Sequence, residues 1–517
     1  MANKAVFQRL FGKSIPKTDA TNFEFAPAYK LSSKQALAQY AATACFNQTF
    51  YADADLQLKG VLDACSTVDS EFIARTAVYA RQHSFMKDMP ALLCAVLASR
   101  DLKLHEAVFE KVIDDMKMLR NYVQMIRSGV VGRKSLGSAP KRLVRQWLQK
   151  RDVDSIFRSS SGANPPLGDI LKMTHPKPNN SSRDAFYGYV LGRRHDSEAL
   201  PPLVRAFESF KSGVTLDVPD LPFMMLSSLP LSQRDWAAIA TRASWQTLRM
   251  NLNAFARHGV FNEPEMSERI ASRLRDPGEI KRSRVLPYQL MSAFLNCDSE
   301  VPANVRDALQ DAMEIAISSV PVVDGTVFVC PDVSGSMLDP ISGRRKGATS
   351  KMRCIDIAAL IAAAFVRKNP TAEVKPFEGK VVHVDLNPRD TVMTNAEKLA
   401  AIGGGGTNCS APLADWNARR AKADLVVIVS DNQSWVDARR GIGTALMVEW
   451  EKFRRRNPNA KLVCVDIHPY VTTQSVERAD ILNVGGFSDQ VFELIAQFAS
   501  EKLHADHWVG LIEQVAI

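Results

Sequence analysis

Residues 328–337 read Phe-Val-Cys-Pro-Asp-Val-Ser-Gly-Ser-Met. An apolar run, Val327 to Cys330, ends in Asp332-Val-Ser334-Gly-Ser336. The pattern Asp-x-Ser-x-Ser at the end of a buried strand builds a divalent metal site from short oxygen side chains. Such a hydroxyl-rich donor set suits Mg²⁺, which prefers oxygens and keeps several waters. A catalytic serine does not fit, because the Gly-x-Ser-x-Gly frame of a nucleophile elbow is missing and no His follows at close spacing.

Two segments further along extend the pattern. Residues 403–408 read Gly-Gly-Gly-Gly-Thr407-Asn408, a flexible loop ending in a hydroxyl. Residues 424–431 read Asp-Leu-Val-Val-Ile-Val-Ser-Asp431, a second buried strand ending in a carboxylate. Together the three resemble the metal-ion-dependent adhesion site of a von Willebrand factor A domain. The resemblance implies that the hydroxyls of Ser334, Ser336 and Thr407 touch the metal, and that Asp332 and Asp431 act directly or through water. It also implies one open coordination position for an acidic group on a partner. The plainer alternative is a polar loop with Ser-Gly turn chemistry, and a glycine run alone is a common loop signal.

From residue 321 onward, strand and helix patterns alternate. Strands are predicted at 326–331, 372–376, 380–385, 424–430 and 460–466, and helices at 354–368, 409–421, 443–457 and 489–503. This alternation gives a parallel-rich, doubly wound α/β sheet covered on both faces. Ligand sites in such sheets lie at the carboxyl ends of the strands, where Asp332 and Asp431 both fall.

The first 320 residues carry almost no strand pattern. Short helices follow one another with clear start and stop signals. Ser32-Ser33 precedes one running to about Phe46, Asp69-Ser70 caps another, and Pro90, Pro201-Pro202 and Pro287 each open one. Ser232 starts a helix with Trp236 and Ile239, and Trp245, Leu248, Leu252, Phe255 and Ala256 form one further stripe, ended by Gly259. Many helices joined by short loops point to paired-helix stacking of the α-solenoid kind. The domains expected are therefore a helical one over 1–320 and an α/β one over 321–517.

The 517 residues are 46% hydrophobic and 23% charged, the balance of a soluble globular chain. No apolar run reaches the length of a membrane helix, and the N-terminus shows no secretory core. The eight cysteines are scattered, mostly in apolar surroundings, and read as reduced thiols of a cytoplasmic protein. Residues 1–320 hold 42 Lys and Arg against 33 Asp and Glu, whereas residues 321–517 hold 23 of each. The basic excess thus belongs to the helical part and points to a polyanion there.

A basic helical domain followed by this metal-site domain resembles the Ro autoantigen family, the TROVE-domain proteins. The resemblance rests on the two loops above, on Asp169-Ile-Leu-Lys-Met-Thr-His175-Pro-Lys177-Pro, and on Arg284-Val-Leu-Pro-Tyr-Gln-Leu-Met-Ser-Ala. It implies a ring of HEAT-like helix pairs whose hole takes single-stranded RNA ends and whose outer basic surface holds a small noncoding Y-type RNA. It implies that His175 lines the RNA path, with Arg158 nearby. Lys172 and Lys177 flank His175 and would meet phosphates, since releasing condensed counterions drives such contacts, while imidazole stacks on unpaired bases. The densest basic stretch, Arg127, Arg133, Lys134, Lys141, Arg142 and Arg145, reads equally as a phosphate surface or as a solvated helix face. Lys281-Arg282-Ser-Arg284 is a shorter candidate.

Other signals fail. Gly343-Arg-Arg-Lys-Gly347 lacks the Gly-Lys-Ser/Thr ending of a phosphate loop, and His504-Ala-Asp-His507 has the wrong spacing for a zinc helix. No paired acids suit two-metal nuclease chemistry. The sequence therefore reads as a non-enzymatic RNA scaffold, for which the Ro resemblance implies roles in RNA stabilisation, quality control or processing. It would hold Mg²⁺ and offer its metal site to a ribonuclease or another protein, with no membrane involved. The rivals are a metal-dependent protein adaptor without RNA and a metal-dependent phosphodiesterase.

Overall fold

The computed structural model describes residues 15–517 apart from 44–48, 50, 161–163, 284, 319, 321, 345–350, 439–442, 469, 487–488 and 502–506. Arg284, His504 and the Gly347 end of the rejected phosphate loop therefore lie outside the described residues. The chain divides into two compact units. One comprises residues 1–64, 286–295 and 313–511, and the other residues 65–285, 296–312 and 512–517.

The first unit is built on a five-stranded, all-parallel sheet. Its strands are β3 (Val327–Pro331), β4 (Glu373–Val374), β5 (Leu425–Ser430), β6 (Lys461–Asp466) and β8 (Ile481–Gly485), in the order β4-β3-β5-β6-β8. Strands β3, β5 and β8 are buried throughout, and β6 is buried but for Lys461. This explains their near-continuous apolar runs, as expected of a sheet covered on both faces. Phe328, Val426, Ile428, Leu462 and Cys464 share one core with Trp416, Trp450 and Phe453 from the helices Ala411–Ala418 and Ala445–Arg456. Phe328 stacks on Trp416 at 4.0 Å between centroids. Full burial of one such side chain contributes roughly 1.5–3 kcal/mol. On the other side the helix Cys354–Lys368, buried along nearly its whole length, packs against β3.

A small antiparallel sheet completes this unit. It joins β1 (Ala20–Thr21), β2 (Pro27–Lys30) and β7 (Thr472–Thr473), with Tyr29 opposite Thr473. The N-terminal segment thus pairs with the chain's C-terminal third.

The predicted strand at 380–385 does not form. Val382 N–H turns back to Pro376 O (2.8 Å), Glu378 N–H donates to Lys380 O (2.9 Å), Val381 forms only an isolated antiparallel bridge with Phe377, and residues 381–385 remain partly or fully exposed. Alternating valines without a neighbouring strand make a turn here, and β4 is left as a short edge. Strand β8 and the helix Val392–Ala400, neither of them predicted, take their places in the fold.

The second unit is helical. The helices Ser70–Gln82, Asp88–Arg100, Leu102–Val112 and Met116–Arg127 pack against their near neighbours in sequence. Caps set their starts: Asp69 accepts Phe72 N–H at 2.8 Å, and Asp115 accepts Met118 N–H at 2.7 Å. Each such cap is worth about 1 kcal/mol. The stripe predicted as one helix from Trp245 to Ala256 is two, Trp245–Met250 and Leu252–Arg257. Asn251 interrupts it, its side chain donating back to Thr247 O at 2.8 Å. No disulfide joins the described cysteines, and no described helix is long and apolar enough to cross a membrane.

Candidate metal centre and candidate nucleic-acid interface

Parallel pairing places the carboxyl ends of β3 and β5 side by side. Pro331 is level with Val429, and Asp332 N–H donates to Val429 O at 2.9 Å. Asp332 is fully buried. Its carboxylate accepts Ser334 N–H (2.8 Å) and Ser430 Oγ–H (2.6 Å), which fixes its direction. Ser334 Oγ lies 3.4 Å from Ser336 Oγ and accepts Thr407 Oγ1–H at 3.0 Å. Asp431, also buried, accepts Gln433 N–H at 3.2 Å. The structure therefore brings all five predicted residues together.

The glycine loop carries Thr407 in at close range. Gly335 N–H donates to Gly405 O (3.0 Å) and Gly404 N–H to Val333 O (2.9 Å), joining the loop to the Asp-x-Ser-x-Ser turn. Gly405 has φ +77, and a Cβ there would sit 1.5 Å from Glu378 Oε2; one on Gly406 would meet Trp435 and Val436 at 2.7 Å. Glycine here is what allows the approach.

Burial first, and then the charge of Asp431, pushes the Asp332 carboxyl up to about 7. Burial also raises Asp431. Neither acid has an ion pair with Lys or Arg among the described residues. Two buried carboxyls beside three converging hydroxyls form a hard-oxygen donor set that a small divalent ion would neutralise. Among the described residues no cluster of three His, Cys, Asp or Glu side chains competes for that role.

Sequence reasoning missed neighbours of this site. Asp466 ends β6 opposite Ser430, and burial pushes it well above the usual carboxylate range. The run Leu-Val-Cys-Val-Asp466 is a third strand ending in an acid, the same signal that found Asp431. Tyr51, whose side chain bonds with Ser336, carries no sequence signal at all.

In the helical unit, His175 closes the helix Leu167–Thr174 in the left-handed region (φ 50), where Asn and Gly are more usual. It borders a cavity of ≈ 420 Å³ that Lys172, Lys177, Arg193, Arg194 and His195 also line, together with Asp184 and Asp196. Lys172 leans towards Asp169 at 3.8 Å, whereas Arg193 and Arg194 are exposed and make no ion pair among the described residues. The signal for these two was the unbroken run Gly192-Arg-Arg-His195, which the sequence reading passed over.

The other predicted basic residues divide. Arg145 donates through Nε to Thr174 O, and Gln149 Nε2 reaches Lys177 O at 3.2 Å, so their helix braces the His175 turn. Arg142 is paired with Glu106 through two 2.8 Å bonds. Arg133 is a loop peg, its guanidinium bonded to Ala98 O and Leu136 O. Arg127 and Lys134 are exposed, and Lys141 is half-buried. Arg158 is not among the residues lining the His175 cavity. It pairs with Asp220 at 2.9 Å and borders a separate pocket with Pro219 and Phe223.

With this geometry in view, comparison with known proteins is specific. The family model described as the Ro60 vWA domain matches residues 326–499. A Deinococcus radiodurans protein named RNA-binding protein RO60 is 25% identical over 518 aligned residues, covering 91% of this chain and 93% of that protein. A Caenorhabditis elegans protein of the same name is 20% identical over 409, covering 74% of this chain and 61% of that protein. The crystal structure of the Deinococcus radiodurans RO (RSR) protein superposes with a TM-score of 0.62 at 19% identity, over 91% of this chain and 100% of that one; this likeness is one of fold. Residues 326–499 are thus similar to the von Willebrand factor A domain of Ro60, and the chain over 91% of its length is similar to a protein named RNA-binding protein RO60.

Proposed function

We propose that this protein binds RNA, and that the cleft around His175 is a principal contact. The observation that carries this reading is the cavity rimmed by His175, Lys172, Lys177, Arg193, Arg194 and His195, with both arginines unpaired among the described residues. Guanidinium groups not engaged with protein acids are available for phosphates, and two imidazoles beside them offer faces for unpaired bases. The names of both relatives support RNA as the partner, and they give no support to an adaptor without RNA.

The finer reading is that the cleft takes single-stranded RNA ends, while a small structured RNA of the Y type lies on exposed basic surface that includes Arg127 and Lys134. We read the protein as one that holds RNA without transforming it, working in the cytoplasm. Asp332, Ser334, Ser336, Thr407 and Asp431 would hold one divalent ion, Mg²⁺ by its preference for oxygen donors. Bound there, the ion supplies an electrophilic point for a carboxylate on a protein partner, a ribonuclease among the candidates. Titrating the full chain with a fluorescent RNA that ends in an unpaired tail tests the RNA reading. Arg193→Glu with Arg194→Glu is expected to weaken binding at least tenfold. Unchanged affinity in that variant would remove the cleft from the interface.

A further inference from the structure

The hairpin between β1 and β2 is fastened beside the metal centre. Its tip is wound tightly: Glu24 N–H and Ala26 N–H both donate to Asn22 Oδ1, at 3.1 and 2.9 Å, and Phe25 turns through φ 58. Asn22 Nδ2 donates to Ser434 O at 2.7 Å, and Phe23 N–H donates to Gln433 Oε1 at 3.0 Å. Gln433 is the same residue whose N–H binds the Asp431 carboxylate. Phe23 also packs on Tyr51 (5.9 Å, stacked) and on Tyr470 (5.2 Å, edge-on).

These anchors hold the hairpin tip against the segment that follows Asp431. The Tyr51 side chain bonds both with Ser336 and with Glu24, and so links this acid to a metal-site hydroxyl. The charge of Glu24 is felt at Asp431. Glu24 thus reaches the site through Tyr51, and neither it nor Asp431 nor Asp332 has a Lys or Arg ion pair among the described residues. Like charges so placed repel, and a divalent cation between them would reverse the sign of the interaction.

We propose that Glu24 is a metal ligand supplied by the chain itself: it takes the coordination position that Ser334, Ser336, Thr407 and the two aspartates leave open, and an acidic partner binds there by displacing it. The inference rests on the metal reading of those five residues. It makes the β1–β2 hairpin a built-in competitor, so that partner binding at the metal is coupled to release of the N-terminal segment.

The test uses the full chain with Mn²⁺ as the probe, following metal affinity by calorimetry and the number of metal-bound waters by water-proton relaxation. Asp332→Ala is expected to lose Mn²⁺ binding. Glu24→Gln is expected to bind Mn²⁺ roughly tenfold more weakly, because ligand charge sets affinity at such sites, and to carry one more exchangeable water. Added acetate should then displace that water in Glu24→Gln at concentrations that leave the wild type unchanged. Glu24 is exposed, so the substitution leaves the fold intact, which a melt without metal checks. If Glu24→Gln matches the wild type in affinity, hydration and acetate response while Asp332→Ala loses the metal, the Glu24 assignment is wrong and the metal site stands. If Asp332→Ala binds Mn²⁺ as the wild type does, the metal reading falls and the Glu24 ligand falls with it.

Discussion

Asp332 and His105 show two opposite ways of burying a titratable group. Asp332 keeps a raised carboxyl in spite of its bonds from Ser334 and Ser430, and a cation would offset the rest of its desolvation, so its value lies in binding. A ligand bound only by the folded state stabilises by mass action, about 2.7 kcal/mol at a hundredfold excess over Kd. Asp332→Ala is accordingly expected to abolish the rise in melting temperature that Mg²⁺ gives the wild type. Equal rises in the two proteins would count against the site. His105, in the helical unit, is fully buried with Nε2 2.9 Å from the Tyr122 hydroxyl. Burial first, and then the charge of Arg133, hold it down to about 4. The folded form therefore binds fewer protons than the unfolded form between that value and the ordinary histidine value of 6.5. Its stabilising contribution is complete above pH 6.5 and is lost as pH falls towards 4, roughly 3 kcal/mol in all. His105→Gln should flatten the pH dependence of denaturant stability over this window. An unchanged slope would show that His105 is not the group responsible.

At the scale of elements, what the sequence disclosed followed pattern strength. Strands β3, β5 and β6 are apolar runs buried on both faces; the acids that follow β3 and β5 were read because a polar residue just past such a run has few other reasons to be there, while Asp466 at the end of β6 gave the same signal and was passed over. Strand β8 was not readable. Its Ile-Leu-Asn-Val-Gly contains a buried Asn483 that accepts from Ser475 and Thr473 hydroxyls, a tertiary arrangement without local trace. The helix Val392–Ala400 did announce itself through Thr391, whose side chain accepts Thr394 N–H at 3.1 Å, and was overlooked. The segment 380–385 misled because valine alternation describes a strand surface and says nothing of a partner. The loop at 403–408 was read as flexible, and its structural meaning is close packing. Gly405→Ala would force an L-residue into φ +77 against Glu378. The expected cost is roughly 1–3 kcal/mol, together with loss of Mg²⁺-dependent stabilisation because Thr407 is moved. A variant melting and binding metal like the wild type would show that the loop tolerates the side chain.

For the whole molecule, the change of pattern near residue 320 and the compact units describe different things. The strands β1 and β2, the helix Ser33–Thr43 and the helix Pro287–Leu295 pack with the sheet unit, and Ile512–Ile517 packs with the helical unit, where Arg75 donates to Val515 O at 2.5 Å. Local sequence pattern reports what an element is and is silent about which core receives it. The basic residues counted along the chain likewise divide by what they touch. Arg133, Arg142 and Arg158 are engaged with protein groups, whereas Arg193 and Arg194, outside the densest cluster, border the His175 cleft. The cleft in the helical unit is proposed to bind RNA through phosphates. The most direct measurement is the affinity of the full chain for an RNA with a single-stranded end, taken across a salt series for wild type, His175→Ala and the Arg193→Glu, Arg194→Glu pair. Expected are a steep fall with salt in the wild type and a slope shallower by about 0.7 for each phosphate contact removed in the double variant. Weaker binding with the slope unchanged is expected in His175→Ala. Affinity independent of salt, or identical in all three proteins, would contradict the proposal.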